Sequence, residues 1–231
     1  MSPEFKDDLL ERFSLLRRFY GLKLLLTQGK TDATFWFLHN RHELKYSLDL
    51  AKEGIVLDIG AYKGNFTLNL LRKNPKLTFL LYEPILQYCN IARNNLGDQT
   101  NVVIIQKGIS SDGRKIQLRD EGLRSRQIIR PSDTHLEIQT QNILALFEAD
   151  SRIELLKMNI EGMEYECLEI LIKTEKLKLA NNLLIQFHNF ESTSEDRYLA
   201  IRNKLIVEYD CVFSYKWIWE LWKRKPEIST S

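Results

Sequence analysis

The stretch from Ile55 to Thr67 constrains this chain most. Ile55, Val56, Leu57, Asp58 and Ile59 form a short run rich in β-branched residues, long enough for a buried strand. The run breaks into a turn carrying Gly60 and Gly64, and Leu68, Leu70 and Leu71 then resume at helical spacing. Strand, glycine turn and helix, in that order, present backbone N–H groups and a helix N-terminus to a nucleotide-like ligand. Gly60 can take positive φ and let a ligand approach the backbone. Asp58, at the strand end, can hold an ammonium group or orient the turn. Ala61, Tyr62, Gly64 and Asn65 complete the turn and are candidate binding residues with Gly60.

A second piece lies downstream. Leu77 to Tyr82 reads as another buried strand and ends in Glu83 and Pro84. An acidic residue at that tip can accept both ribose hydroxyls of a nucleoside. Glu83 stands 23 residues after Gly60, close to the roughly 20 expected. The turn motif is Asp58-Ile59-Gly60 with Gly64 four residues on, not G-x-G-x-x-G. That form resembles motif I of the S-adenosylmethionine-dependent methyltransferases more than a dinucleotide enzyme.

The 231 residues suffice for one sizeable α/β domain with a decorated end, and 44% apolar residues allow a normal core. Lys plus Arg number 33 and Asp plus Glu 31, a balance that argues against a nucleic-acid binder working by bulk charge. Cys89, Cys167 and Cys211 are widely spaced with no C-x-x-C, so a reducing compartment and no structural zinc are expected. Lys6, Asp7 and Asp8 precede any apolar run, unlike a signal peptide, and no run is long enough to span a membrane. A cytoplasmic location is the expectation.

In chain order, residues 5–27 read as an amphipathic helix, with Phe5, Leu9, Phe13, Leu16, Tyr20 and Leu24 at helical intervals. Packing over the sheet or the site mouth is the simpler role for it, and a membrane-surface or partner helix the alternative. His39 and His42 can share a face, but no third metal ligand is near in sequence. The spacing then predicts helices over 64–73 and 85–96 and a strand over 102–106. Residues 114–139 break the alternation. Lys115–Arg119 and His135–Gln139 alternate like strands around a loop, with Arg119, Arg124, Arg126 and Arg130, either a solvated basic hairpin or a substrate-side flap. A helix over 141–148, a strand over 153–158, a helix over 164–174, a strand over 182–187 and a helix over 195–208 follow. Cys211–Ser214 and Trp217–Trp222 close the chain as a hairpin. Trp217, Trp219 and Trp222 can stack on sugars or simply fill the core.

From about residue 54 to 224 the chain resembles the FkbM-type S-adenosylmethionine-dependent methyltransferases. Four stretches carry this: Val56–Gly64, Tyr82-Glu83-Pro84, Lys157-Met158-Asn159-Ile160-Glu161-Gly162-Met163-Glu164, and Ile185-Gln186-Phe187-His188. The resemblance implies an α/β, Rossmann-like class I methyltransferase fold: a mostly parallel seven-stranded sheet closed by an antiparallel hairpin, with helices on both faces. Residues 1–52 then form an N-terminal helical extension, and 53–231 the methyltransferase domain with insertion 114–139. It implies an O-methyltransferase that uses S-adenosyl-L-methionine, leaves S-adenosyl-L-homocysteine, and acts on a hydroxyl of a sugar or glycan. A small-molecule natural product as acceptor is the alternative, as is a non-catalytic cofactor-binding partner of a glycosyltransferase. In such a fold Ile109 and Ser110 approach the adenine, and Asn159 and Glu161 face the transferred methyl group. His188 is the first choice for the base that takes the acceptor's proton, since imidazole suits neutral pH; Glu161 is the second. The family pattern has Asp where this chain has Asn159 and Glu where it has Gln186. The two missing carboxylates argue against a divalent metal, because hard cations want carboxylate oxygens.

Overall fold

The computed structural model describes residues 41–119, 126–127, 136–147 and 152–226, together with Asp32 and Trp36. The amphipathic segment 5–27, His39, the side chain of His42, the loop arginines Arg124 and Arg130, the side chain of Arg126 and His135 lie outside the described residues.

The element order is β1 (Ile55–Ile59), α1 (Asn65–Lys73), β2 (Thr78–Tyr82), α2 (Leu86–Leu96), β3 (Val102–Ile105), β4 (Gly108–Ser110), β5 (Lys115–Arg119), β6 (Arg126–Gln127), β7 (Leu136–Asn142), β8 (Ile153–Met158), α3 (Glu164–Lys173), β9 (Ala180–Ile185), α4 (Ser194–Glu208), β10 (Tyr209–Tyr215) and β11 (Trp219–Arg224). Seven strands form one sheet in the order β3-β2-β1-β8-β9-β11-β10. The first five pair in parallel; β11 runs antiparallel to β9, and β10 antiparallel to β11. This is the mostly parallel sheet closed by a hairpin that the sequence implied.

Both faces of the sheet are covered, which is why its central strands read as continuous apolar runs. Leu57, Ile59, Leu156 and Met158 pack with Leu168 and Leu171 of α3 and Ile201 and Leu205 of α4. Val56, Leu155 and Leu184 pack on the opposite face with Phe66 and Leu70 of α1 and Ala92 and Leu96 of α2. Trp36 and Tyr46 extend this second layer, so the segment before the sheet closes part of the core.

The boundaries differ from expectation where tertiary pairing decides them. The segment expected as a helix over 141–148 is the end of β7 followed by a 3-10 turn, Ile143–Phe147. Asn142 pairs with Ser110 in β4, and its Oδ1 accepts from the Leu144 N–H at 2.8 Å, capping that turn. Strand β9 starts at Ala180, opposite Ile153, and ends at Ile185 rather than running over 182–187. Gln186 N–H still bonds the Met158 carbonyl at 3.0 Å, and the chain then leaves the sheet, so His188 lies on a loop. Trp217 sits in the β10–β11 turn at φ 62, while Trp219 and Trp222 pack into cores on opposite faces. Trp219 and Trp222 are therefore core residues rather than a sugar-stacking ladder.

The insertion builds a second sheet, β4-β7-β5-β6, to which residues 108–110 contribute a strand the sequence did not suggest. Arg114 fastens it to α3 through a two-pronged pair with Glu166, at 3.0 and 2.8 Å.

Candidate active site

A cavity of about 650 Å³, counting the space at its mouth, opens at the carboxyl ends of β1, β2 and β8. This is the edge where open α/β sheets bind ligands. Gly60 and Tyr62, Glu83 and Pro84, Ile109, and Asn159 with Glu161 all line it. Sequence candidates from four separate segments thus meet in one place. The other candidates lie elsewhere. Ala61 is buried behind the turn. Gly64 and Asn65 start α1, where a Cβ on Gly64 would lie 3.0 Å from Leu96 Cδ1 and 3.2 Å from Ala92 Cβ. Ser110 does not line the cavity: its hydroxyl bonds Thr140 Oγ1 at 2.7 Å and accepts from the Gly113 N–H at 2.8 Å, holding the second sheet's turn.

Gly60 takes the positive φ expected of it, and a close contact inside the protein adds a second requirement for glycine. At φ 76, a Cβ there would lie 1.9 Å from the Asn159 carbonyl oxygen. What approaches Gly60 is the β8 strand end, and that closeness brings Asn159 beside the turn.

Glu83 is buried at the β2 tip. Its two oxygens accept the backbone N–H groups of Tyr62 and Ile85, each at 2.9 Å. An ionised carboxylate has about four acceptor sites, so two stay available for a diol. Burial pushes its pKa up to about 7, against the pull of the two backbone N–H bonds. Binding that relies on the carboxylate therefore weakens as pH falls through about 7. Glu83→Ala is expected to lower S-adenosylhomocysteine affinity by about 1.5–3 kcal/mol. Glu83→Gln should flatten the pH dependence of affinity. Calorimetric titration at pH 6 and 8 reads both, and equal affinities for wild type and Glu83→Ala remove Glu83 from the site.

Asp58 does not face the cavity. Its Oδ2 accepts from Thr67 Oγ1 at 2.7 Å, and its Oδ1 lies 2.7 Å from the Lys157 ammonium. Lys157, also buried, donates to the Gly60 carbonyl at 2.7 Å as well. An ion pair so fully removed from water needs every partner it has. Lys157 has no role legible from its sequence position, because a lone charge in an apolar strand shows its partner only after folding. Asp58 Oδ1 has the Lys157 charge beside it but no aligned hydrogen bond; Asn159 Oδ1, likewise out of solvent, has no hydrogen-bond partner among the described residues. An unsatisfied buried acceptor costs about 1–3 kcal/mol and calls for an explanation, such as a ligand.

At the β8 end the chain turns sharply, with Glu161 at φ 54 and Gly162 at φ 105. Glu164, wholly buried, opens α3; it accepts the Gly162 N–H at 2.8 Å and the His188 N–H at 2.8 Å. His188 Nδ1 lies 3.0 Å from Glu164 Oε1, and Nε2 lies 3.4 Å from Glu161 Oε2. Burial opposes a charge on this ring, but Glu164 and then Glu161 outweigh it and raise its pKa to about 10. The two carboxylates beside its nitrogens favour the imidazolium form of His188, and the ring is not part of the cavity wall. Glu164 is a second carboxylate at this ring, beside Glu161, to which the sequence reading assigns no role. Glu161, in front of the ring, is the group of this cluster that reaches the cavity.

The far wall is apolar. Ile116 and Leu118 of β5, Ile138 of β7 and Met163 close it, and Tyr62 and Tyr88 pair beside it with ring centroids 4.3 Å apart. Ile116, Leu118 and Ile138 carry no motif; they reach the site because the insertion folds back as a sheet. Among the described residues, no group of three or more His, Cys, Asp and Glu is arranged to hold a metal ion, and no helix is long and apolar enough to cross a membrane.

A family model described as the Methyltransferase FkbM domain matches residues 58–215. No curated protein sequence matches the chain at a significant level. Among solved structures, a Clostridium thermocellum protein assigned as an rRNA methylase is 10% identical, covers 83% of this chain and 97% of its own, and superposes with a TM-score of 0.51. A Streptococcus thermophilus rRNA methylase is 14% identical over 82% of this chain and 96% of its own, with a TM-score of 0.47. Streptococcus pneumoniae Sp1610, assigned as a tRNA (m1A22) methyltransferase and solved with S-adenosyl-L-methionine, is 16% identical over 83% of this chain and 75% of its own, with a TM-score of 0.46. At such identities the first of these likenesses supports the fold alone.

Proposed function

We propose, for a chain that belongs to the FkbM methyltransferase family and is an S-adenosyl-L-methionine-dependent methyltransferase, that its acceptor is a hydroxyl group of a sugar or glycan. The cavity residues fit the cofactor: a buried carboxylate with spare acceptor sites at one end, an unsatisfied Asn159 oxygen at the other, and apolar walls between. When bound, the cofactor supplies an electrophilic methyl group on a sulfonium, open to in-line displacement.

The chain's part is to orient the acceptor and receive its proton. One observation carries this reading: Glu161 stands on the cavity wall with the buried His188 ring 3.4 Å behind it. With the imidazole protonated, Glu161, His188 and Glu164 together carry one net negative charge. The cluster can take up one proton, and Glu161 is its member at the cavity. His188 holds the Glu161 carboxylate in place, and Glu164 fixes the ring. A hydroxyl acceptor needs such a group, because its proton must leave as the new C–O bond forms. The sugar class follows from the family likeness and from nothing in the cavity itself.

The test is methyl transfer against a panel of sugars, glycosylated small molecules and aglycones, with the methylated position read by NMR. Turnover on aglycones alone moves the acceptor to small-molecule natural products. No turnover on any acceptor, with S-adenosylhomocysteine still bound, leaves a cofactor-binding partner of a glycosyltransferase.

Asn159 and Gln186 stand where carboxylates are usual, so turnover is expected to persist in excess chelator. Activity lost in EDTA and restored by magnesium or manganese defeats that expectation.

A further inference from the structure

We infer that Lys157 fills the ammonium position beneath the glycine turn, so that Asn159 rather than Asp58 receives the amino group of the cofactor's methionine part. The inference rests on the cavity being the cofactor site, as proposed above.

Asp58 and the Gly60 carbonyl are the acceptors at the end of β1 that suit an ammonium. Both are taken from inside the protein. The Lys157 ammonium lies 2.7 Å from Asp58 Oδ1 and 2.7 Å from the Gly60 oxygen, with the Ile59 oxygen at 3.4 Å. Thr67 occupies the second Asp58 oxygen at 2.7 Å. A second cation at that point would meet a like charge in a region closed to water, where repulsion is least screened. The cofactor amine therefore needs another acceptor on the cavity wall.

Asn159 provides it. It follows Met158, the last residue of β8, and its carbonyl packs where a Gly60 Cβ would be. Its Oδ1 is buried and meets no donor among the described residues, yet the residue lines the cavity. An ammonium gives that oxygen a charge-assisted bond. The Asn at this position then has a reason: Lys157 already balances Asp58, and a neutral acceptor suffices for the ligand's own zwitterion.

The test separates the amino group from the rest of the ligand. S-adenosylhomocysteine and its analogue lacking the amino group are titrated calorimetrically into wild type, Asn159→Leu and Asn159→Asp, with thermal melts to confirm folding. Wild type should prefer the amino ligand. Asn159→Leu should reduce that preference about 10- to 100-fold by weakening the amino ligand alone. Asn159→Asp, which retains an acceptor and adds charge, should keep or raise the preference. A preference unchanged across the three proteins overturns the inference. If S-adenosylhomocysteine binds wild type and Glu83→Ala equally, the reading of the cavity fails instead, and the two failures are distinct.

Discussion

Glu161→Gln is expected to slow methyl transfer by about 10²–10⁴ while leaving S-adenosylhomocysteine affinity nearly intact. The substitution keeps the shape of the side chain and an oxygen that can still accept from His188 Nε2, now 3.4 Å from Glu161. It removes the group proposed above to take the acceptor's proton. The proposed cofactor-binding residues Glu83 and Asn159 are untouched, so binding and turnover should separate. Single-turnover rates at saturating cofactor, with calorimetry beside them, measure both. Wild-type turnover in Glu161→Gln ends the proton-acceptor role. A parallel loss of cofactor affinity makes Glu161 a binding residue instead.

The parts of the fold that were legible were those whose burial is symmetric. Strands β1 and β8 lie at Ile55–Ile59 and Ile153–Met158, as expected, because both faces of the sheet are covered and the residues read as unbroken apolar runs. Strand β9 misled for the same reason. Phe187 is buried in the core beyond the last ladder bond, so the apolar run outlasts the strand. Hydrophobicity records burial, and only pairing decides where a strand ends.

The site was legible as residue types but not as environments. The glycine turn, Glu83, Asn159 and Glu161 could be found because each sits at the end of a recognisable strand. Asp58 was a fair candidate for an ammonium group, and it holds one, but from Lys157. Gly60 was needed for a close approach, and what approaches is the Asn159 backbone. His188 was found, yet its charge state depends on Glu164, which starts a helix twenty-four residues earlier and meets the ring only in the folded chain. The apolar far wall had no signal at all, since Ile116, Leu118 and Ile138 are ordinary strand residues until the insertion folds over the cavity.

The charge on His188 has a consequence for stability that does not depend on any substrate. Its folded pKa, raised to about 10, stands above the unfolded value of about 6.5. The folded state therefore holds the proton more tightly. That stabilisation is fully present below about pH 6.5 and is lost as pH rises through about 10. The groups facing the ring are Glu161 and Glu164, with the Tyr165 hydroxyl donating to the His188 carbonyl at 2.6 Å. Tyr165 is itself pushed up by burial and stays protonated across this window. His188→Gln keeps a polar side chain but cannot take up the proton, leaving buried Glu164 and partly buried Glu161 without their cation. Urea denaturation of both proteins at pH 6.5, 8 and 10.5 should show the variant less stable by a few kcal/mol at pH 6.5, with the gap narrowing towards pH 10.5. A gap that does not change with pH means that the ring is neutral in the folded protein. The proton acceptor would then have to be sought at His188 again, rather than at the carboxylate in front of it.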